Sequence, residues 1–546
     1  MDTTTTDFDA IVVGSGAAGG WAAKELTEGG MNVLVLEAGR AIDEAVDYPP
    51  DLKPVVMNMW ARLGFAIRGQ SVQARMGGAF GAGLSHFYVN DRQNPYTTPR
   101  GAPFLWYRGR QVGGRMHTWA RASFRMSDFE FHRPDLDQSA GGEWPIRYAD
   151  LESCYDKVED TIGVVGERNG IENLPDGHFE PGTPTPGTSK VFANLLTERA
   201  GLKTIRSRVS VHNTDHIPVA LAFAQKTRRL VLQPDAVVER ILIDDATGRA
   251  RGVAYRDRLT KERQEVFANT VVVCASALES TRLLLNSACP KHPNGVGGSS
   301  GALGHYISDH VLIGKGGGVS DEFRDMVKAD GTKYVRPSTD PYDLGAYSMY
   351  VPKFVRPEVG PQDGVDFVGG YGIQCDATNR NWWMLAFGQM APRYENQISL
   401  NPKKKDAWGI PVAHIDVRHR ENELKMAAHM NKTMERAAKD IGFTLREGGG
   451  RVPRGAQLLI FKLLKPMVMQ KNGSFFPGGA IHETGGARMG DDPKTSVLNP
   501  YCQCWDVPNV YVTDGACYPS VGYQNHTLTI MALTVRACDH ILRHQD

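Results

Sequence analysis

The stretch DAIVVGSGAAGGWAAKELTEGGMNVLVLEAG, residues 9–39, decides the fold. Its opening DAIVV is a short apolar run that reads as a buried strand, and the helical piece AAGGWAAKELTEGG stops at Gly29-Gly30. VLVLEAG (33–39) is a second buried strand, so the three pieces form one β-α-β unit with a parallel strand pair. Between first strand and helix lies Gly14-Ser15-Gly16-Ala17-Ala18-Gly19, the glycine spacing of a dinucleotide site in the context that such a site requires. Gly14 permits the tight turn, Gly16 lets the backbone approach a pyrophosphate, and Gly19 packs the helix close to the strand. The phosphates then sit on the helix N-terminus, where Ala17 and Ala18 begin the first turn. Glu37 ends the second strand, where a carboxylate can bond a ribose hydroxyl, with Ala38 and Arg40 beside it. The motif alone leaves open which dinucleotide is bound.

A chain of 546 residues has room for two or three domains' worth of core. Its 41% hydrophobic and 23% charged residues are ordinary for a soluble globular protein. With 62 basic against 61 acidic residues, and no basic run longer than Lys403-Lys404-Lys405, a nucleic-acid partner is disfavoured. No apolar run is long enough to span a bilayer. The start, MDTTTTDFDAIVVGSG, lacks the basic n-region and cleavage site of a signal peptide, so a cytoplasmic location is expected unless a signal-bearing partner exports the chain. Eight scattered cysteines are the usage of a reducing compartment. Cys502-Gln503-Cys504 has no second pair to complete zinc or cluster spacing, so no metal site is expected.

Residues 40–110 are rich in Gly, Pro, Asn and Arg and read as extended loops. Helical spacing occupies 148–163 and 189–201, and strand-like pieces follow, ending in NTVVVCASA (269–277) with a helix directly after it. From about 310 to 480, apolar and aromatic residues interleave with Gly and Pro as in a mostly antiparallel sheet, and 421–442 reads as a helix. NVYVTDGACYPS (509–520) is a buried strand ending in an acid.

GRQVGGR (109–115), NTVVVCASALESTRLLLNSA (269–288), ALGHYISDH (302–310), HETGGARMG (482–490) and NVYVTDGACYPS…NHTLTIMALTVRACDHI (509–541) follow one another as in the glucose-methanol-choline family of flavoenzymes. The chain resembles that family over nearly its whole length. VNDRQNPYT (89–97), WPIRYADLESCYDKVEDTIGVVG (144–166) and KDAWGIPVAHIDV (405–417) are similar to its sugar- and glycoside-oxidising branch. The resemblance implies an α/β fold: a Rossmann-like FAD-binding domain in several segments, with an inserted α+β substrate domain. The expected boundaries are 1–145 (cofactor domain, with the flavin-contact loop 109–121), 146–200 (helical part of the substrate domain), 201–310 (cofactor domain), 311–480 (substrate domain) and 481–546 (cofactor domain with catalytic residues). It also implies FAD rather than a dissociable nicotinamide. Matched to the family, Gly113, Gly114, Met116 and Thr118 lie near the flavin ring and the backbone of Val238 meets the adenine. Cys274 and Ala275 border the cofactor, Asp514 with Gly515 holds its ribityl-phosphate side, and Asn525 and Thr527 approach the ring. Pyranose oxidase and its relatives tether FAD through a histidine at the position that is Thr118 here, so non-covalent FAD is expected. His117, one place early, is the alternative tether and otherwise a loop histidine bonded to backbone.

Oxidation of an alcohol by a flavin needs a base for the hydroxyl proton, a carbon-bound hydrogen aimed at the flavin, and stabilisation of negative charge on the reduced ring. Histidine suits the first, because its pKa lies near neutrality. A helix N-terminus meets the third, and TLTIMALTVRACDHIL (527–542) reads as that helix, with Asn525 and His526 at its lip. His482 matches the family's first active-site histidine and is expected to be the base. Its partner is Asn525 by likeness to the sugar enzymes, or His526 by the H-x-x-T spacing of the glucose-oxidase branch. Both also suit capping of the helix. His305, His310, His414, His419 and His429 read as surface or packed histidines, and Trp382-Trp383 as packing before a sugar platform. The expected reaction converts a secondary hydroxyl of a sugar or glycoside to a ketone, with C3 of a pyranose favoured. C2 or C1 oxidation and a non-sugar alcohol are the alternatives. A flavin-binding protein without chemistry is disfavoured by the retention of His482 beside Asn525 and His526. The electron acceptor (oxygen, a quinone or a cytochrome-bearing partner) stays open, and no C-x-x-C-H haem motif is present.

Overall fold

The computed structural model describes residues 8–49, 59–75, 82–132, 143–172, 174–181, 185–212, 216–331, 347–351, 365–446 and 469–544. Phe8–Val13, the helix Ala17–Glu28 and Val33–Leu36 form the β-α-β unit, with Ala10 paired in parallel to Val33 and Val13 to Leu36. Three more strands extend this pair into one parallel layer, in the order Leu230–Gln233, Val33–Leu36, Phe8–Val13, Arg263–Val273, Val510–Val512. Both faces of that layer are buried, which is why its strands read as unbroken apolar runs. Ala10, Val12, Val33, Val35 and Val272 pack under Ala17–Glu28 and the terminal helix Thr527–Arg543. Ile11, Val13, Leu34, Leu36 and Val273 turn to the opposite core.

Arg263–Val273 serves two layers. Its first half pairs antiparallel with Ala250–Asp257, which pairs in turn with Ala236–Ile243, and its second half enters the parallel sheet. A second sheet of six strands is antiparallel at every pairing, in the order Thr444–Leu445, Val311–Gly318, Asn381–Gly388, Tyr371–Ala377, Tyr347–Val351, Thr204–Arg206. The helix Glu421–Asp440 lies on it, burying Met426, Met430, Met434 and Ala438 at intervals of one helical turn. Along Tyr371–Ala377 the alternate residues Tyr371, Ile373, Cys375 and Ala377 face that core, leaving Gln374 for the opposite face. Trp382 is fully buried in the same core and donates through Nε1 to the Thr444 carbonyl at 3.1 Å, so it is a packing residue.

Two readings of the sequence change. Residues 40–110 are more than loops: they contain the helices Glu44–Asp47, Met59–Ile67 and Ser71–Ala74 and the 3-10 turn Ala82–Phe87. Helices of four residues hold too little periodicity to register, and Glu44–Asp47 rests on a local device, the Asp43 side chain accepting from the N–H groups of Ala45 and Val46. Thr204–Arg206, which the boundary at 201 assigned to the cofactor domain, is an edge of the second sheet. Conversely, the hairpin Gln397–Lys405/Pro411–Asp416 lies within 311–480 yet packs against the helix Ala277–Asn286 that follows the long parallel strand. Arg282 clamps it there, pairing with Asp406 at 2.7 Å. Among the described residues no helix is long and apolar enough to cross a membrane.

Candidate active site

A ligand of a parallel sheet sits in the crevice beyond the carboxyl ends of its strands, the end at which the glycine turn after Phe8–Val13 lies here. Gly14 turns there with φ +100°, and a Cβ on it would meet the Cys274 carbonyl oxygen at 2.5 Å. A Cβ on Gly19 would lie 1.8 Å from the Gly14 oxygen. Gly16 differs, because the nearest atom to its missing Cβ is the Gly113 oxygen at 4.0 Å. The helix starting at Ala17 has no acidic residue in its first turn and no side chain capping its N-terminus. Gly113 and Gly114, both at positive φ, close over this turn, with the Gly113 N–H donating to Ser15 Oγ at 2.9 Å. Met116 and Thr118 ride on the 3-10 turn Gly114–Thr118, where Thr118 Oγ1 donates to the Arg115 carbonyl at 3.2 Å.

Glu37 is engaged within the protein, accepting from Ser15 Oγ at 2.6 Å and from the Gly39 N–H at 2.8 Å. Burial raises its pKa, with the Ser15 hydrogen bond opposing. Ala38 packs with Val237 and Trp408 beside Val238, while Arg40 pairs with Asp47 at 2.5 Å. At the other end of the crevice Asp514 accepts from the Ser276 N–H at 2.8 Å and from Ser280 Oγ, and its second oxygen takes the Ala516 N–H. It therefore fastens the turn after Cys274 and Ala275 to the turn Gly515–Cys517. His117 is occupied: the Val112 carbonyl can only accept, so Nε2 donates to it at 2.6 Å and Nδ1 accepts from the Tyr48 hydroxyl at 2.6 Å.

Beyond the crevice, four pieces of chain meet around His482. The loop before the terminal helix brings Asn525, whose amide donates to His482 Nε2 at 3.3 Å. His526 is the N-cap of that helix; its ring centroid lies 4.9 Å from that of His482, and its Nδ1 is buried with no hydrogen-bond partner among the described residues. Just before the strand Val311–Gly318, His310 touches His482 nitrogen to nitrogen, Nδ1 to Nδ1, at 2.6 Å. The open face of the second sheet supplies Gln374, whose amide donates to Asn525 Oδ1, and Phe387, 5.5 Å ring to ring from His482. Asp309 holds the backbone, accepting from the His482 N–H at 3.0 Å and the Gly478 N–H at 2.7 Å. Burial chiefly, then the neighbouring His310 and His526, lowers the His482 pKa well below the usual imidazole value. His526 is lowered likewise, by burial and then His310.

His482, Asn525 and His526 are thus together, whereas Gly14, Gly16, Glu37, Cys274 and Asp514 gather at the turns that end the parallel strands. His310, read from sequence as a packed histidine, belongs to the site; its place in ALGHYISDH, one of the family-like motifs, was the available signal. Arg115 was also missed: it pairs with Glu483 at 2.8 Å and donates to Ser276 Oγ at 2.9 Å, tying the 109–118 loop to the turn that carries His482. His305, His414 and His429 have partners of their own in Tyr394, Thr97 and Tyr371.

The N-terminal GMC oxidoreductase model matches residues 8–312 and the C-terminal one residues 392–534, and the chain belongs to the GMC oxidoreductase family. It is an FAD-dependent oxidoreductase acting on alcohol or sugar hydroxyls. It is similar to the 2-methyl-1,2-propanediol dehydrogenase of Mycolicibacterium austroafricanum, 26% identical over 592 residues covering 100% of this chain and 96% of that one. It is also similar to a C-glycoside 3-oxidase of Microbacterium trichothecenolyticum, 25% identical over 412 residues, 70% of this chain and 71% of that one. A formate oxidase structure from Aspergillus oryzae RIB40 superposes with a TM-score of 0.67 over 98% of each chain at 14% identity, a likeness of fold alone.

The crevice fits FAD: an uncapped helix N-terminus suits a diphosphate, and the open space at Gly16 is where a Cβ would intrude on it. Gly16→Ala is therefore expected to fold normally but to lose its yellow cofactor on gel filtration. Gly19→Ala should instead lose the fold itself, its Cβ overlapping backbone. Far-UV circular dichroism and the flavin absorbance of the two purified variants check this; equal retention of FAD by Gly16→Ala would refute it.

Proposed function

We propose that this chain oxidises a secondary hydroxyl of a sugar or glycoside to a ketone, at C3 of a pyranose, with His482 as the base and FAD held without a covalent bond. The observation carrying this is the donation from the Asn525 amide to His482 Nε2: an NH₂ group only donates, so Nε2 carries a lone pair and no proton. At 3.3 Å that contact is long, and an alcohol hydroxyl can replace it with a shorter O–H···N bond. The hydroxyl proton then passes to Nε2. Asn525, with its amide oriented by Gln374, holds the alcohol oxygen, and the unpartnered Nδ1 of His526 offers a second polar contact. Bound FAD supplies the two-electron acceptor for the carbon-bound hydrogen. Gly14, Gly16, Ala17, Ala18, Gly113, Gly114 and Val238 are assigned to holding it. The occupancy of both His117 nitrogens supports non-covalent attachment.

Similarity to the C-glycoside 3-oxidase favours a sugar ring and its C3 carbinol. Similarity over the whole chain to the 2-methyl-1,2-propanediol dehydrogenase favours a second reading, a small diol. An anaerobic screen of pyranoses, glycosides and short diols separates them, reading bleaching of the flavin and assigning products by NMR. A 3-keto-glycoside is the expected product. Bleaching by diols with none by any sugar would overturn the reading. Repeating the turnover with oxygen and with a quinone dye identifies the acceptor.

A further inference from the structure

We propose that His310 is a positioning residue that fixes the tautomer of His482, presenting its Nε2 as the bare nitrogen. This rests on the assignment of His482 as the base. The Gly522 carbonyl can only accept, and His310 Nε2 lies 2.6 Å from it, so His310 carries its proton on Nε2. His310 is 1% exposed, and burial lowers its pKa to about 4, so at neutral pH the ring is uncharged and its Nδ1 has only a lone pair. That nitrogen stands 2.6 Å from His482 Nδ1. Two bare nitrogens would repel at that distance, so His482 Nδ1 must donate, and Nε2 is left without a proton. The donation from Asn525 at the other side demands the same polarity.

One loop therefore grips His482 from both sides. Gly522 accepts from His310 and Asn525 donates to Nε2, three residues apart on the segment entering the terminal helix. A histidine free to choose would present Nε2–H to the substrate in part of its population, and that form cannot take a proton. A Cβ on Gly522 would crowd the Gln524 and Glu130 side chains, at 2.4 Å from Oε1 and 2.9 Å from Cγ.

The test compares His310→Leu with His310→Gln in the FAD-loaded protein. Glutamine can donate its amide to Gly522 and accept from His482; leucine can do neither. The direct readout is ¹⁵N NMR of histidine-labelled oxidised enzyme without substrate, with the His482 signals assigned by their absence in His482→Ala. Wild type should show the Nδ1–H tautomer of His482, the Gln variant should keep it, and the Leu variant should give a mixture. Flavin reduction should slow roughly 10- to 100-fold in the Leu variant, by analogy with the loss of the partner that orients a metal-bound histidine, and the Gln variant should recover most of that. Wild-type His482 protonated on Nε2 would overturn the proposal even if the Leu variant fails to fold. So would a Leu variant that keeps the Nδ1–H tautomer, or a Gln variant no better than Leu in both readouts. Because the NMR measurement uses no substrate, failure of the base assignment would appear separately, as a normal tautomer with no kinetic effect of His482→Ala.

Discussion

Alanine at position 482 is expected to slow reduction of the bound flavin by the alcohol substrate roughly 10²–10⁴-fold, the range for removing a positioned general base. FAD should stay bound, because His482 is fastened to the structure through its backbone N–H and Asp309, not through the ring that is removed. Anaerobic stopped-flow absorbance reads the rate, and the flavin spectrum reads occupancy. The pH profile adds a signed expectation. Protonation of His482 disables the base, and its pKa lies well below the usual 6.5, so the wild-type rate should stay flat as pH falls through that value and drop only in stronger acid. A variant reduced at the wild-type rate would remove His482 from the role; a wild-type rate halved near pH 7 would instead report Asp309, whose burial beside Glu483 raises its carboxyl to about 7.

The second large effect concerns stability. Arg125 is 2% exposed and its guanidinium reaches Glu159 at 2.5 Å, Asp156 at 2.6 Å and the Tyr148 hydroxyl at 2.9 Å. Its partner Glu159 is equally buried and also accepts the His178 N–H. Arg125→Met would leave that carboxylate buried without its hydrogen-bonded countercharge, with only the more distant Arg208 to offset it, at a cost of about 3–5 kcal/mol. Adding Glu159→Gln should restore part of the loss, since the orphaned charge is gone and the His178 bond survives. Denaturant unfolding under saturating FAD measures both. A loss under about 1 kcal/mol, the value of an exposed pair, would show that water reaches the site. The consequence extends past the pair itself, because its helix Glu152–Ile162 also carries Tyr155, which bonds Thr529 of the terminal helix at 2.7 Å.

Much of this was legible before any coordinates. The β-α-β unit is written in consecutive residues, where strand, glycine turn and helix each leave a local signature. Asn525 and His526 were legible because they sit beside a strongly apolar helix. His482 was visible only by likeness to known motifs, since nothing in its neighbours marks it. His310 is buried with both nitrogens engaged, as a packed histidine should be; its partner lies 172 positions away, a contact that no local pattern records. Glu37 and Asp514 were placed in the crevice, but their internal duties to Ser15, Ser276 and Ser280 depend on loop geometry that sequence does not encode locally. Thr204–Arg206 was lost because three residues cannot display an alternation.

The parallel layer seats Val510–Val512 beside Val271–Val273, and that neighbour relation sets a timetable for the newborn chain. A ribosome must add about 240 residues between those two strands, roughly 10–50 s at ordinary elongation speeds. Throughout that interval one flank of Val271–Val273 waits as an open, apolar edge, the kind of template that invites sticking between chains. The last strand to emerge both seals that edge and leads directly into Asn525 and His526. An unfinished copy is therefore the form in need of chaperones, and it is also a form in which the oxidising centre has yet to come into existence.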